Sequence, residues 1–396
     1  MSDDSGSDTF TEVTRTSWLS RIGESIKGVL VGIVLIGGST VLLFWNEGRA
    51  VQTYRSLAEG AGAVVSVAAS KVEPGNEGKL VHVSGEANTT AALDDAEFGV
   101  SAKGLRLLRT ADMYQWKEES KTETRKNLGG SEETVTTYSY VRTWADHRID
   151  SGKFRRPAGH SNPEMRYKRY EVLARDATLG AFRPGAGVLG QLQAGEDVRV
   201  EAGIAASVAE RLRTSAHVVD GKLYLGLNPS RPQIGDLRIS YKIAGNGPIS
   251  VIGRQAGSDF AAYQTKAGDR LLMVRAGLMP AADMFKAAEA ENNVLTWIVR
   301  LIGAVLMFVG FGMILRPLVV VADVVPLIGD ILGAGAGLVS LILTVILAPL
   351  VIAAAWFWYR PAVAAAVLAG GLVVGYGLRR WAASRAAARR IAAPAT

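Results

Sequence analysis

Apolar positions are gathered into four runs at the two ends of the chain, Gly28–Trp45 near the start and Val294–Leu315, Ile328–Tyr359 and Ala362–Leu378 near the finish. About 20 consecutive apolar residues cross a hydrocarbon core, and soluble cores rarely hold uninterrupted runs of that length. The pattern therefore predicts a polytopic α-helical membrane protein with four transmembrane helices, one before and three after a large water-facing domain. The predicted organisation is a tail (1–27), helix one (28–45), a domain (46–293), helix two (294–315), a connection (316–327), helices three (328–359) and four (362–378), and a basic tail (379–396).

Between the runs the pattern changes to strand alternation. Lys79 to Ser84, Leu105 to Trp116 and Thr134 to Trp144 alternate apolar and polar residues. The last two, separated by a charged stretch containing Gly129-Gly130, predict a long hairpin with a mobile tip. Further strands are expected over 165–172, 197–202, 222–227, 236–243, 249–254 and 270–275. Helical spacing appears over 204–212 and 280–290, so the domain is β-rich α+β. Gly245-Asn246-Gly247-Pro248 reads as a hairpin turn between two of these strands.

Charge refines the picture. The chain has 44 basic and 37 acidic residues and no cysteine. From Val294 onward there are eight Arg and two acids, and before Gly28 three basic and five acidic residues, which leaves a nearly neutral middle of 33 basic and 30 acidic. That balance gives no sign of a nucleic-acid partner. The missing cysteines exclude disulfides, thiolate nucleophiles and cysteine-ligated metals. Arg379, Arg380, Arg385, Arg389 and Arg390, with no acid among them, mark the C-terminal tail as cytoplasmic. Four crossings put the N-tail on the same side and the domain, 46–293, outside. Phe44-Trp45 followed by Asn46-Glu47-Gly48-Arg49 reads as an interfacial anchor and a polar stop.

Several blocks are distinctive in order and separation. Asn46-Glu47-Gly48-Arg49-Ala50 comes first, then Asn76-Glu77-Gly78-Lys79-Leu80-Val81-His82 and Asp112-Met113-Tyr114-Gln115-Trp116. Gly159-His160-Ser161-Asn162-Pro163, Gly235-Asp236-Leu237-Arg238-Ile239-Ser240-Tyr241 and Trp358-Tyr359-Arg360-Pro361 follow. From about Trp18 to Leu378 this succession resembles the transmembrane protein 43 family, also called LUMA. The N-tail departs from the eukaryotic members, and the Ala/Arg-rich tail looks bacterial. The resemblance implies membrane organisation and protein scaffolding. In eukaryotes it implies the endoplasmic reticulum and inner nuclear membrane; for a bacterial member the matching location is the plasma membrane, with a periplasmic domain.

No catalytic constellation stands out. The four histidines make no compact metal spacing. His82, between Val81 and Val83, reads as a solvent-facing strand residue, and His160 as part of a turn. Asp94-Asp95 and Glu132-Glu133 read as solvated pairs. No serine-nucleophile motif or phosphate loop occurs. The expectation is a protein that is not an enzyme and needs no cofactor.

Three sets of residues remain. Tyr114, Trp116, Tyr138, Tyr140 and Trp144 place aromatics on both hairpin arms, readable as cross-strand packing or as a partner surface. Gly329, Gly333 and Gly337, with Gly371 and Gly375 on the last run and Gly28 and Gly32 on the first, have the spacing that lets helices approach closely. They serve either this chain's own packing or contact with another copy. Arg300, Asp323 and Asp330 are charges within or beside apolar runs two and three. Arg300 is near enough to an end to snorkel, Asp323 and Asp330 flank Pro326 in what reads as a short interfacial helix, and an Arg–Asp pair or an ion path are the other readings. The leading functional expectation is a non-enzymatic scaffold embedded in the lipid bilayer, forming a homo-oligomer and engaging a membrane or extracytoplasmic protein partner. An ion channel or transporter component is the alternative.

Overall fold

A computed structural model describes residues 9–362 and, past that point, 364–366, 369, 370, 373, 376, 377, 379 and 380. In chain order the elements begin β1 (Thr9–Thr16), α1 (Trp18–Ala63), β2 (Val65–Ala68), β3 (Leu80–Asn88), β4 (Ala92–Asp95), β5 (Val100–Lys103), β6 (Arg106–Lys126) and β7 (Glu132–Ala145). They continue with β8 (Tyr170–Leu173), β9 (Thr178–Leu179), α2 (Ala186–Leu189), β10 (Glu196–Val198), α3 (Ala202–Leu212), β11 (Ala216–Val219), β12 (Lys222–Leu225) and β13 (Leu237–Ala244). The last are β14 (Gly247–Ala256), β15 (Asp259–Ala261), β16 (Tyr263–Gln264), β17 (Arg270–Leu271), β18 (Met273–Ala276), α4 (Ala281–Ala322) and α5 (Pro326–Tyr359). They form two compact units. One holds Met1–Arg15, Ser56–Arg125 and Glu132–Glu289, and the other Thr16–Arg55, Lys126–Ser131 and Ala290–Thr396.

The first unit is built on two large sheets, ordered β1-β7-β6-β13-β12-β11 and β15-β14-β3-β2 along their main paths. Strand β6 shows why it folds as it does. From Arg106 to Gln115 every second residue is buried, so Leu107, Ala111 and Met113 face the core, which also takes Val81, Val83, Phe182, Leu223, Ile239 and Val251. Strand β3 is buried on both faces over Leu80–Val83. Its second face, with Leu80 and Ile252, packs against Met284 and Phe285. That cover explains His82, which is 7% exposed rather than solvent-facing. The run Gly245–Pro248 does not close a hairpin: β13 pairs with β6, β10 and β12, whereas β14 pairs with β3, β15 and β18. The turn hands the chain from one sheet to the other.

Among the described residues three helices are long and apolar enough to cross a membrane: α1, α4 and α5. The fourth expected span is not among these three; it lies partly outside the described residues, Gly371 and Gly375 included. Helix α1 runs on without a break through Asn46–Arg49. The predicted helix over 280–290 is the first part of α4, and Pro326 opens α5 itself, leaving no separate interfacial helix. In this unit α1 and α4 meet backbone to backbone. A Cβ on Gly32 would lie 2.6 Å from the Gly310 carbonyl oxygen, and one on Gly310 would lie 2.9 Å from that of Gly32. Leu43, Met307, Ala348 and Val351 pack together beyond that crossing. The predicted seam on α5 is not used in this way. A Cβ on Gly329 would strike Asp323, one on Gly333 would make an ordinary 3.5 Å contact with Val319, and one on Gly337 would meet open space.

Residues Thr9–Thr16, expected in a tail separate from the domain, add a strand to the domain sheet beside β7.

Candidate functional site

The helical unit is held by two polar joints inside otherwise apolar helices. On α1, Asn46, Glu47, Gly48, Arg49 and Ala50 occupy consecutive positions, and on α4, Asn292, Thr296 and Arg300 recur every fourth residue along one face. The Arg300 guanidinium donates from Nε and Nη2 to the two Glu47 oxygens, at 2.6 and 2.9 Å. The Trp356 indole of α5 donates to Glu47 Oε2 at 2.8 Å. The Glu47 side chain is 2% exposed. One buried carboxylate thus joins three helices. Arg300 also lies over the Trp297 ring at 4.7 Å. Its partner is a Glu rather than an Asp.

One turn on, Arg49 donates to Asn292 Oδ1 and Thr296 Oγ1, each at 3.0 Å, and Asn46 donates to the Thr296 carbonyl at 3.1 Å. Asn292 returns a bond to the Ala50 carbonyl at 3.1 Å. Gly48 faces Tyr359, and a Cβ there would come 2.7 Å from the ring. Every member of the Asn46–Ala50 block thus has a packing or bonding task.

The second joint lies at the other end of the same helices. Asp323, between α4 and α5, is 1% exposed and pairs with Arg21 and, at 2.9 Å, with Lys126. Lys126 also reaches Asp330 at 2.8 Å, on the exposed side. Arg21 donates to the Gly130 carbonyl at 2.6 Å, Gly129 N–H to the Val324 carbonyl at 3.1 Å, and Trp18 Nε1 to the Val320 carbonyl at 2.9 Å. These bonds tie the tip of the β6–β7 hairpin to α1 and to the α4–α5 turn. Sequence reasoning singled out Arg300, Asp323 and Asp330 but missed Glu47, Arg49, Asn292, Arg21 and Lys126. A polar residue every fourth position across 292–300, inside an apolar helix, was the available signal.

The five hairpin aromatics pack within the first unit. Tyr114 and Trp144 pair across the strands at 5.1 Å, with Arg238 4.1 Å over Trp144. Trp116 meets His160 edge-on, Tyr140 stacks on His160 at 3.8 Å, and Tyr138 stacks with Phe10 of β1. The expected solvated acid Asp95 is buried; it accepts from Arg109 and from the Tyr241 hydroxyl, each at 2.8 Å. Glu133 pairs with Arg15 at 2.9 Å.

His82 sits among Ser66, Ser84 and Ser250, an arrangement that invites comparison with a nucleophile and base. The hydrogen bonds decide otherwise. His82 Nε2 lies 2.9 Å from the Met279 carbonyl, which can only accept, so Nε2 carries the proton and Nδ1 accepts from Ser66 at 3.2 Å. Ser84 lies 3.0 Å from the same protonated nitrogen, 2.7 Å from Ser250, and Ser250 donates to the Gly277 carbonyl at 2.9 Å. A protonated Nε2 cannot take the Ser84 proton, so the chain of hydroxyls ties strands together. No group of three or more His, Asp or Glu able to hold a metal occurs among the described residues.

Apolar helices joined by buried ion pairs, with a β-rich domain, define a membrane protein with a large folded domain. The sequence profile described as Transmembrane protein 43 matches residues 113–361. The chain is 32% identical to Transmembrane protein 43 of Mus musculus over 371 residues, covering 90% of each chain, and 32% identical to that of Homo sapiens over 362 residues, covering 88% of each. It is 30% identical to the Transmembrane protein 43 homolog of Drosophila melanogaster over 375 residues, 89% of this chain and 95% of that one. The chain belongs to the transmembrane protein 43 family. No solved structure matches it.

Proposed function

We propose that this chain is a non-enzymatic membrane scaffold: its helices form a rigid anchor in a bacterial plasma membrane, and its β-rich domain organises partner proteins. The mutual pairing of the anchor's buried charges carries the reading. Glu47 is saturated by Arg300 and Trp356, and Asp323 by Arg21 and Lys126. Charges so paired act as static rivets, whereas a transport path needs groups that exchange partners. Self-association belongs to the same proposal, because a Cβ on Gly337 of α5 would meet open space, which leaves that position open to close approach by another copy. The basic C-terminal residues face the cytoplasm in this arrangement.

Channel formation is the second reading, favoured by the buried hydroxyls of Ser39, Ser340 and Thr344 in the same unit. Reconstitution of the full chain in vesicles, with its mass in native-like lipid and its monovalent cation flux measured on one sample, separates the two. A multimer without flux is expected. Cation flux through the unsubstituted chain would replace the scaffold by the channel, and a monomer would remove the self-association.

A further inference from the structure

We propose that the tip of the β6–β7 hairpin is a membrane-inserted element, with Leu128 among the acyl chains of the bilayer and the Arg21–Asp323–Lys126–Asp330 network at headgroup level. Three observations point to lipid as the occupant. The first is composition. The β6 arm from Lys117 to Lys126 is dense in charge, and the charge stops abruptly at Asn127-Leu128-Gly129-Gly130-Ser131. Leu128 is 86% exposed at the point of the turn. Among the described residues nothing covers this large apolar side chain.

The second is its surroundings. Within the helical unit the tip lies against the α4–α5 turn, where Val324 is 41% and Leu327 71% exposed, and Leu19 at the start of α1 is 74% exposed. These residues continue the apolar surface of helices whose length and hydropathy suit a bilayer. Leu128 extends that surface by one more residue.

The third is the backbone. A loop entering lipid must satisfy its polar groups internally, while a loop in water has no such need. Asn127 N–H donates to the Ser131 carbonyl at 2.8 Å, Gly130 N–H to the Asn127 carbonyl at 3.1 Å, and Gly129 N–H to the Val324 carbonyl. The Gly130 carbonyl accepts from Arg21. Gly129 and Gly130 hold φ of +89° and +77°, the left-handed conformation this tight closure demands. The charges beneath are likewise paired, and Asp330, 67% exposed at its side chain, gives the network its watery edge. Lys and Arg bonded at that level fit anionic or zwitterionic headgroups.

The absence of cysteine makes the test direct. Leu128→Cys and, as an aqueous reference, Ser161→Cys are each labelled with bimane in the full chain and reconstituted in phosphatidylcholine vesicles. Quenching is measured with iodide in the water and with nitroxide-bearing acyl chains in the lipid. The label at 128 is expected to emit blue-shifted light, to be quenched by the acyl nitroxide, and to be several-fold less sensitive to iodide than the label at 161. Iodide quenching equal to that at 161 with no effect of the nitroxide overturns the proposal. Protection from both quenchers, which would mean that protein covers the tip, overturns it as well. Substitution of a side chain this exposed leaves folding intact, and the unfolding profile of the unlabelled Leu128→Cys chain checks that.

Discussion

Glu47 of α1 and Arg300 of α4 meet fork to fork inside the helical unit, two hydrogen bonds of 2.6 and 2.9 Å between side chains 2% and 15% exposed. The geometry is the strong, bidentate form of the ion pair. Its consequence is asymmetric. Two charges out of water are tolerable together, and either one alone is not.

Glu47→Ala or Arg300→Ala alone should each cost about 3–5 kcal/mol, the usual penalty for stranding a buried charge. The double variant should lose clearly less than the sum of the two. Thermal or denaturant unfolding of the detergent-solubilised protein, run as a double-mutant cycle, measures this coupling. Simple additivity would show that the two groups do not depend on each other.

The two acids near Pro326 should behave differently. Asp323 is buried and holds both Arg21 and Lys126, so Asp323→Asn leaves two cations short of a partner and should destabilise by several kcal/mol, of the order seen for broken buried pairs. Asp330 is largely exposed, and Asp330→Asn should stay within about 1 kcal/mol. Equal unfolding temperatures for the two variants would contradict the burial difference.

Small-residue packing is testable on the same footing. Gly32→Leu should disrupt the anchor, since even a Cβ there meets the Gly310 carbonyl oxygen. Gly333→Leu should be milder and Gly337→Leu mildest in the isolated protomer, because open space faces Gly337. Stability of the monomeric, detergent-dispersed chain gives the order. If Gly337→Leu alone lowers the oligomer mass in lipid, its open face is where copies meet.

His82 makes the domain acid-sensitive. Burial lowers its pKa from the ordinary 6.5, opposed by the bond to the Met279 carbonyl. The unfolded chain therefore takes up a proton below pH 6.5 that the folded chain refuses. The resulting stability is complete above pH 6.5 and falls as pH drops below it, by no more than about 1.4 kcal/mol per pH unit for one proton. His82→Gln should flatten that part of the stability profile between pH 7.5 and 5. An unchanged slope would assign the acid sensitivity to other groups.

Much was legible in the chain before any contact was known. Hydropathy alone marks α1, α4 and α5, because lipid demands long uninterrupted apolar helices. Period-two alternation marks β6 and β7, because a half-covered sheet writes its two faces into the sequence. Arg300 and Asp323 stand out for the same reason, as charges where charge is costly.

What the tertiary structure decided is which polar groups meet and which surfaces are covered. Glu47 looked like the end of a span because its partner, Arg300, lies 253 residues away in sequence. His82 and Asp95 looked solvated because alternation shows that a strand has two faces, not that Met284 and Phe285 roof the second face of β3 or that Arg109 reaches Asp95. The Gly245–Pro248 turn has hairpin residues, yet only the pairing of β13 and β14 with different partners shows that it joins two sheets. Lys126, at the end of a charged arm, gave no sign of Asp323 or Arg21. Local chemistry fixes periodicity, turn conformation and where charge is expensive; long-range pairing depends on how distant segments are brought together, and no local pattern encodes it.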